Sequence, residues 1–377
     1  MVYLDYCATT PVSYDVLESY NKATREYMGN ANSIHSLGVK SKALLNSAIK
    51  QICELFNIEK DELVITSGAT ESNNMALKGI ALSYKNKGNH IIVSKLEHPS
   101  IYKICEFLES MGYEISYVNN DSDGLIDFEH LRSLIRPTTI LVSICAVNSE
   151  LGIRQPLKTI RQIIKKENAN TVFHSDMTQA IGKVPVNMHD VDLASMSGHK
   201  IFGPKGIGFL YRSNKINITP LIHGSGKFND LRGGTPMLPL IVALSKALRI
   251  ALTDLEKKEE HVLELNKMIV EHLKEYPNVI VNSTKYSIPH VLNISLMNIR
   301  PETFLHALEE EEVFVSTNTA CSSGDFSASV MAVTNDKVRA STTIRISLSY
   351  VTTKEEIRKF LNVFDVEYNN LIELVQE

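Results

Sequence analysis

The sequence predicts an α/β fold: a large unit with a mainly parallel seven-stranded sheet flanked by helices, plus a smaller α+β unit. Two observations carry this. Seven short runs rich in β-branched residues are almost continuously apolar, as strands covered on both faces are. Longer helical patterns separate the early runs, the alternation that builds a parallel sheet with helices on both sides.

In chain order, the strands read as "ELVITSG" (Glu62–Gly68), "HIIVSK" (His90–Lys95), "EISYV" (Glu114–Val118), "TILVSICAV" (Thr139–Val147), "TVFHSD" (Thr171–Asp176), "VDLASMS" (Val191–Ser197) and "IGFLYR" (Ile207–Arg212). Helices are expected over Thr70–Tyr84, Ser100–Met111 and Leu157–Glu167. Near residue 237 the character changes. A helical pattern with a break runs from Met237 to Glu275. Shorter strands follow at Val279–Asn282, Val291–Leu296 and Thr343–Leu348, with helices at Glu302–Glu310 and Lys354–Val375. The extended N-terminal segment is expected to return to this second unit.

Composition narrows the function. The 377 residues are 44% hydrophobic and 22% charged, with a net charge of −4. That balance suits a globular protein and argues against a nucleic-acid footprint, which needs a basic domain. The five cysteines (Cys7, Cys53, Cys105, Cys145, Cys321) are odd in number and include no CxxC pair, so neither a disulfide framework nor a zinc site is expected. His174, His189 and His290 lack metal-ligand spacing. No apolar run reaches the roughly 18 residues a membrane helix needs. No signal-like segment opens the sequence, so a cytoplasmic location is expected.

Ligands of open α/β sheets sit at the carboxyl ends of strands. After "LVIT" comes "SGATESNN", where Gly68 permits a tight turn and Ser67 or Thr70 is placed to cap a helix. Such a helix N-terminus is an anion site for phosphate, or simply a capped helix. After "TVFHS" comes Asp176, a carboxylate placed to hold a protonated ring nitrogen or to cap "MTQAIG". After "VDLASMS" come Gly198, His199 and Lys200. A partly desolvated lysine there can condense with a carbonyl; an isolated loop lysine is otherwise solvated. Anion cradle, acid and lysine together are what pyridoxal 5′-phosphate requires. His98 in "LEHPS" can stack and move protons, or merely start a helix; Asn148 and Gln179 can meet a phenolic oxygen, and Asn148 suits a turn equally well. "GSGKF" (Gly224–Phe228) lacks the spacing of a phosphate-binding P-loop.

With these residues in place, the chain resembles the cysteine desulfurases of the NifS/IscS type, class-V members of the fold-type I pyridoxal-phosphate enzymes. "YLDYCATTP", "GNANSIHSLG", "TSGATESNN", "EHPS", "DMTQAIGKVPV", "SGHKIFGPKGIG", "LRGGTP" and "TIRISLS" carry the resemblance along essentially the whole length. It implies Lys200 as the Schiff-base lysine, Asp176 as partner of the pyridine nitrogen and His98 as stacking acid/base. Gln179 and Asn148 would contact the ring oxygen. Ala69, Thr70, Ser197 and His199 would hold the phosphate, and Thr235 would reach the phosphate of a second subunit in a homodimer. Arg345, Asn32 and Asn148 would bind substrate. Cys321, in "STNTACSSGDFSASV" on a mobile loop at about 316–335, would take sulfur from L-cysteine as a persulfide and leave alanine. The sulfur would pass to an iron–sulfur scaffold or a tRNA-thiolation enzyme, without direct nucleic-acid or membrane contact. Selenocysteine lyase, or another class-V pyridoxal-phosphate enzyme such as an aminotransferase, is the neighbouring alternative. Residues 12–255 would form the large cofactor-binding domain, and 1–11 with 256–377 the small one.

The chain departs from the family pattern at Ala31 and Asn32, commonly Pro-Ser. It departs also at Ala146, often His, at Cys7, and in "HGSGKFND".

Overall fold

The computed structural model describes residues 1–226, 228–317 and 326–376. The first half is built from β1 (Val2–Tyr3), α1 (Tyr14–Glu26), α2 (Ser36–Phe56), β2 (Leu63–Thr66), α3 (Ala69–Ser83), β3 (His90–Ser94), α4 (Pro99–Ser110), β4 (Glu114–Val118), α5 (Phe128–Leu134), β5 (Thr139–Ser143), α6 (Leu157–Glu167), β6 (Val172–Asp176), β7 (Leu193–Ser197) and β8 (Gly208–Arg212). Then come α7 (Leu238–Leu252), α8 (Leu255–Leu273), β9 (Val279–Val281), β10 (Val291–Leu296), α9 (Pro301–Glu310), β11 (Val313–Phe314), β12 (Ser316–Thr317), α10 (Ala328–Thr334), α11 (Lys337–Ser341), β13 (Thr343–Ser347) and α12 (Lys354–Gln376).

The seven expected strands form one sheet in the order β2-β8-β7-β6-β5-β3-β4. Strand β8 runs antiparallel to both β2 and β7; the pairs among β7, β6, β5, β3 and β4 are parallel. Every residue of β3, β5, β6 and β7 is buried, the polar His, Ser, Thr and Asp positions among them included, while edge strand β4 is mostly part-exposed. Two cores form. One gathers α2, α6 and α7 with residues such as Phe173 and Phe209; the other gathers α3 and α4 with Ile91, Val93 and Leu141.

Polar atoms inside the sheet are matched across strands. His174 sits between Ser143 Oγ (2.9 Å) and Ser195 Oγ (3.0 Å), and burial lowers its pKa. The buried Asp192 carboxylate ties α6 to the sheet, accepting from Arg161 (2.6 Å), Lys165 (2.7 Å) and Phe173 N (2.9 Å).

The break expected in the long helical pattern falls at Thr253–Asp254, where Asp254 adopts φ 51°. The sequence reading passed over α1 and α2, which pack on α7. Beyond α8, an antiparallel sheet β12-β13-β10-β9 carries the third core, an aromatic cluster of Tyr276, Phe304, Phe360, Phe364 and Tyr368. The N-terminal segment does return: β1 pairs in parallel with β11, and Asp5 bridges Ser347. From there it runs to the turn after β7, where Thr10 N–H and Oγ1 both donate to His199 O.

Candidate active site

The carboxyl ends of β2, β3, β6 and β7 lie along one edge, and the candidate residues gather there. Lys200 ends a single 3₁₀ turn, Gly198–Lys200, directly after β7. The turn is closed by Gly198 N donating to Ile207 O (2.9 Å) and Gly203 N to Gly198 O (3.1 Å). A Cβ on Gly198 would stand 3.1 Å from Ile207 Cγ2 and 3.2 Å from Leu244 Cδ1, so the turn packs tightly. Nζ donates to the carbonyls of Cys7 and Ala8, both at 2.6 Å. Burial pushes the Lys200 amine down to about 8; Lys183 and Arg345 reinforce this, while Cys7 and Asp5 oppose it.

That shift has a measurable sign. At pH 7 about one tenth of the Lys200 amines are neutral, and the fraction rises to a plateau above pH 8. The rate at which cofactor-free protein captures pyridoxal 5′-phosphate is expected to climb nearly tenfold between pH 6 and 7 and to level off past 8. Stopped-flow absorbance across pH checks this; a rate still climbing steeply at pH 10 would show an unperturbed lysine.

Asp176 closes β6 and is buried. Oδ2 accepts from Asn73 Nδ2 and Oδ1 from Thr178 N, each at 2.9 Å. It does cap the turn after β6, yet no cation contacts it directly among the described residues. A buried carboxylate without a counter-charge is costly, and this one faces the mouth of the sheet.

His98 is the N-cap of α4. Nδ1 accepts from Ser100 N (3.1 Å), which leaves Nε2 without a partner among the described residues. The charges of Asp176 and Lys200 both act on this exposed ring.

The expected cap by Ser67 or Thr70 does not form. Gly68 takes the N-cap position at φ 152°, ψ −177°, with no side-chain bond to the helix. Ser67 N–H goes instead to Glu71 Oε2 (2.7 Å), and Glu71 pairs with Arg232 (3.0 Å). The first turn of α3, with Ala69 half-buried and Thr70 exposed, therefore keeps unspent N–H groups for an anion. A Cβ on Gly68 would come within 3.3 Å of Ser197 Oγ, which places Ser197 beside that turn. His199 Nδ1 meets Thr9 Oγ1 (3.1 Å). Burial, then the charges of Lys200 and Lys205, lower its pKa to about 4, so it meets an anion as a neutral ring.

Gln179 is buried, donating to Cys7 O (3.1 Å) and accepting from Lys183 Nζ. Asn148 is spent: Nδ2 donates to Leu96 O (2.9 Å) and Ser329 Oγ (3.1 Å), and Oδ1 accepts from Glu150 N and Leu151 N. It holds its turn, and any contact with a ligand requires Nδ2 to leave Ser329. Arg345 on β13 is held by Asp5 Oδ1 (2.9 Å) and Ser149 O (3.1 Å), and its buried Nε has no partner among the described residues. Asn32 lies exposed before α2, its N–H bonded to Asn30 Oδ1 (2.9 Å), and Thr235 is exposed before α7. Neither has a hydrogen bond to the Lys200 group among the described residues. Cys321 lies outside the described residues.

The sequence reading missed Asn73, Lys183 and Glu97. Asn73 sits one turn beyond Thr70 on the same helix, and Lys183 follows Gln179 by four residues; those spacings were their signal. Glu97 is buried, its carboxyl held well above the ordinary range by burial and by Asp176. Its Oε1 accepts from Cys145 N (2.6 Å), which fastens the turn before His98 to the segment leading to Asn148. No group of His, Cys, Asp and Glu suited to a metal ion occurs among the described residues, and no helix there is long and apolar enough to cross a membrane.

An anion cradle, an uncompensated acid and a depressed lysine at one sheet edge define a protein built for a phosphorylated aldehyde. Relatives fix which kind. The Aminotransferase class-V family profile matches residues 2–360. A cysteine desulfurase IscS from Dictyoglomus turgidum is 38% identical over 97% of this chain and 93% of its own. Among solved structures, a NifS-like protein superposes with a TM-score of 0.92 at 34% identity, covering 97% of this chain and 98% of that one. A structure described as SspA in complex with cysteine gives a TM-score of 0.82 at 31% identity over 94% and 100%. The chain belongs to the class-V aminotransferase family, and its cofactor is pyridoxal 5′-phosphate. The uncapped α3 turn, the unpaired Asp176 and the Lys200 amine fit that group.

Proposed function

We propose that this protein is a cysteine desulfurase: it converts L-cysteine to L-alanine and carries the removed sulfur as a persulfide on Cys321. The observation that carries the reading is Lys200, a half-buried lysine lowered toward neutrality in the turn after β7, in a chain 38% identical to a cysteine desulfurase. When bound, pyridoxal 5′-phosphate supplies an electron sink for the bonds broken at the substrate.

The side chains supply the rest. Lys200 Nζ would hold the cofactor aldehyde and move the proton of the substrate α-carbon. Asp176 would keep a ring nitrogen protonated, and His98 would supply a proton-exchanging Nε2 beside the ring. The α3 turn with Thr70, Ser197 and His199 holds the phosphate. Arg345 exchanges Asp5 and Ser149 O for the substrate carboxylate, a bidentate task suited to its planar fork, with Asn32 approaching the same group. The Cys321 thiolate attacks the substrate sulfur; one C–S bond breaks, one S–S bond forms, and the β-carbon gains a proton.

On this reading the protein is a homodimer in which Thr235 completes the partner's phosphate site. The exposed Tyr14, Leu17, Met28, Ile34, Leu37 and Val39, clustered on and between α1 and α2, support a covered face. Residues 12–255 serve as the cofactor-binding domain; 1–11 and 256–377 serve as the small domain, with Cys321 falling in the sequence between β12 and α10 rather than in a loop spanning 316–335. The acceptor is an iron–sulfur scaffold or a tRNA-thiolation enzyme, and the location is cytoplasmic.

Given L-cysteine without reductant, the holoenzyme is expected to release alanine and to gain the mass of one sulfur atom at Cys321. Undiminished alanine release from cysteine by Cys321→Ala would overturn the persulfide route. Turnover of selenocysteine alone would assign the protein as a selenocysteine lyase.

A further inference from the structure

Lys183 is the buried charge that the mechanism leaves unused. It is 6% exposed, and among the described residues its partners are the Gln179 Oε1 and, at 3.9 Å, the Cys7 Sγ, not a carboxylate. Burial lowers its pKa, Cys7 from the N-terminal segment opposes this and Arg345 on β13 adds to it, while Lys183 in turn acts on Lys200 in the turn after β7 and on His290 before β10. Burial, reinforced by Lys183, lowers His290 to about 3, so His290 stays neutral and offers no counter-charge. A cation kept inside without compensation is costly, which calls for a task that a neutral side chain would not perform.

The geometry of Gln179 supplies the task. Lys183 Nζ donates to Gln179 Oε1, so the amide oxygen faces the lysine. The Cys7 carbonyl only accepts, so the Gln179 nitrogen must face Cys7. The two neighbours fix the amide from both sides. One N–H of Nε2 goes to Cys7 O, the carbonyl that also receives Lys200, and the other has no partner among the described residues.

We propose that Lys183 is a positioning residue that locks the Gln179 amide, so that Gln179 meets the ring oxygen of the cofactor as a hydrogen-bond donor. This rests on the reading that Gln179 and Lys200 belong to the cofactor site. A donor there favours the ionised ring oxygen; with Lys183 gone only the Cys7 carbonyl still holds the amide, the oxygen side loses its clamp, and the N–H is aimed less firmly at the ring oxygen, which disfavours the ionised form.

The test is a pH titration of the cofactor absorbance in the holoenzyme, compared among wild type, Lys183→Met, Gln179→Ala and the double variant. Lys183→Met is expected to raise the midpoint by about one pH unit, about tenfold in the equilibrium, with cofactor content retained. In the Gln179→Ala background the same change should move the midpoint by less than about a third of that, because the coupling runs through the amide. Lys183→Arg, which keeps the donor, should restore the wild-type midpoint. Equal shifts in both backgrounds would overturn the proposal, showing direct charge repulsion instead. So would a lowered melting temperature with an unmoved midpoint, the mark of a merely structural lysine. Lys200→Ala holoenzyme that keeps the pH-dependent band would instead refute the underlying cofactor reading, a distinct result.

Discussion

Lys200→Ala is expected to abolish turnover of L-cysteine, lowering kcat by at least about 10³-fold, because anchoring and proton movement both reside on one amine. The loss follows from how the amine is held. Its turn is fixed by Gly198 and Gly203, and Nζ is aimed by the two carbonyls at 2.6 Å. Borohydride reduction of wild-type holoenzyme is expected to tag Lys200 in peptide mapping, and the variant is expected to lose the tag. A tag on Lys183 or Lys205 in the wild type would move the site elsewhere and undo the assignment. Melting temperature serves as the control. Lys200 leaves only two hydrogen bonds to backbone carbonyls, so the alanine variant should stay folded.

Asp176→Asn is expected to lower kcat by about 10²–10³-fold, the rate equivalent of the roughly 3–4 kcal/mol carried by one partner of a buried charge pair. Asparagine preserves shape but offers no charge to a protonated ring nitrogen. It also puts an NH2 where Asn73 Nδ2 or Thr178 N now donates, so one of those donors loses its acceptor. Lys200 still anchors the cofactor, so the visible absorbance should survive while turnover falls. That split separates an electronic role from a packing role. Turnover within about threefold of wild type would reduce Asp176 to a turn cap.

The sheet was readable because buried strands leave continuous apolar runs, and all seven lie where those runs fall. Their ends were less so. The run Thr139–Val147 stays apolar, but the strand ends at Ser143: Cys145 N–H turns to the Glu97 carboxylate, while Ile144 and Ala146 N–H still reach β6 at His174 O and Asp176 O. The reversed direction of β8 leaves no trace in composition. The helices α1 and α2 escaped notice because polar and apolar residues intermix along them. Within the site, Lys200, Asp176 and His98 stand out as the residues that end strands or begin helices. The Asn73 bond to Asp176 spans 103 positions, and the two-sided clamp on Gln179 depends on a carbonyl 172 positions away. Such pairs exist only once the chain is folded. Asn148 shows the converse: its type and place suggested a ligand contact, yet its turn consumes every bond it offers.

Residues 2–10 join strand β11 and Ser347 at one end and the Lys200 turn at the other. During synthesis on the ribosome, those first residues emerge early and must wait for partners more than 300 positions later. The other end can dock as soon as His199 has emerged, through the two Thr10 bonds. A nascent chain stalled before residue 313 would therefore hold the Lys200 turn by one end of this strap only, and the second anchor is added as the polypeptide nears completion.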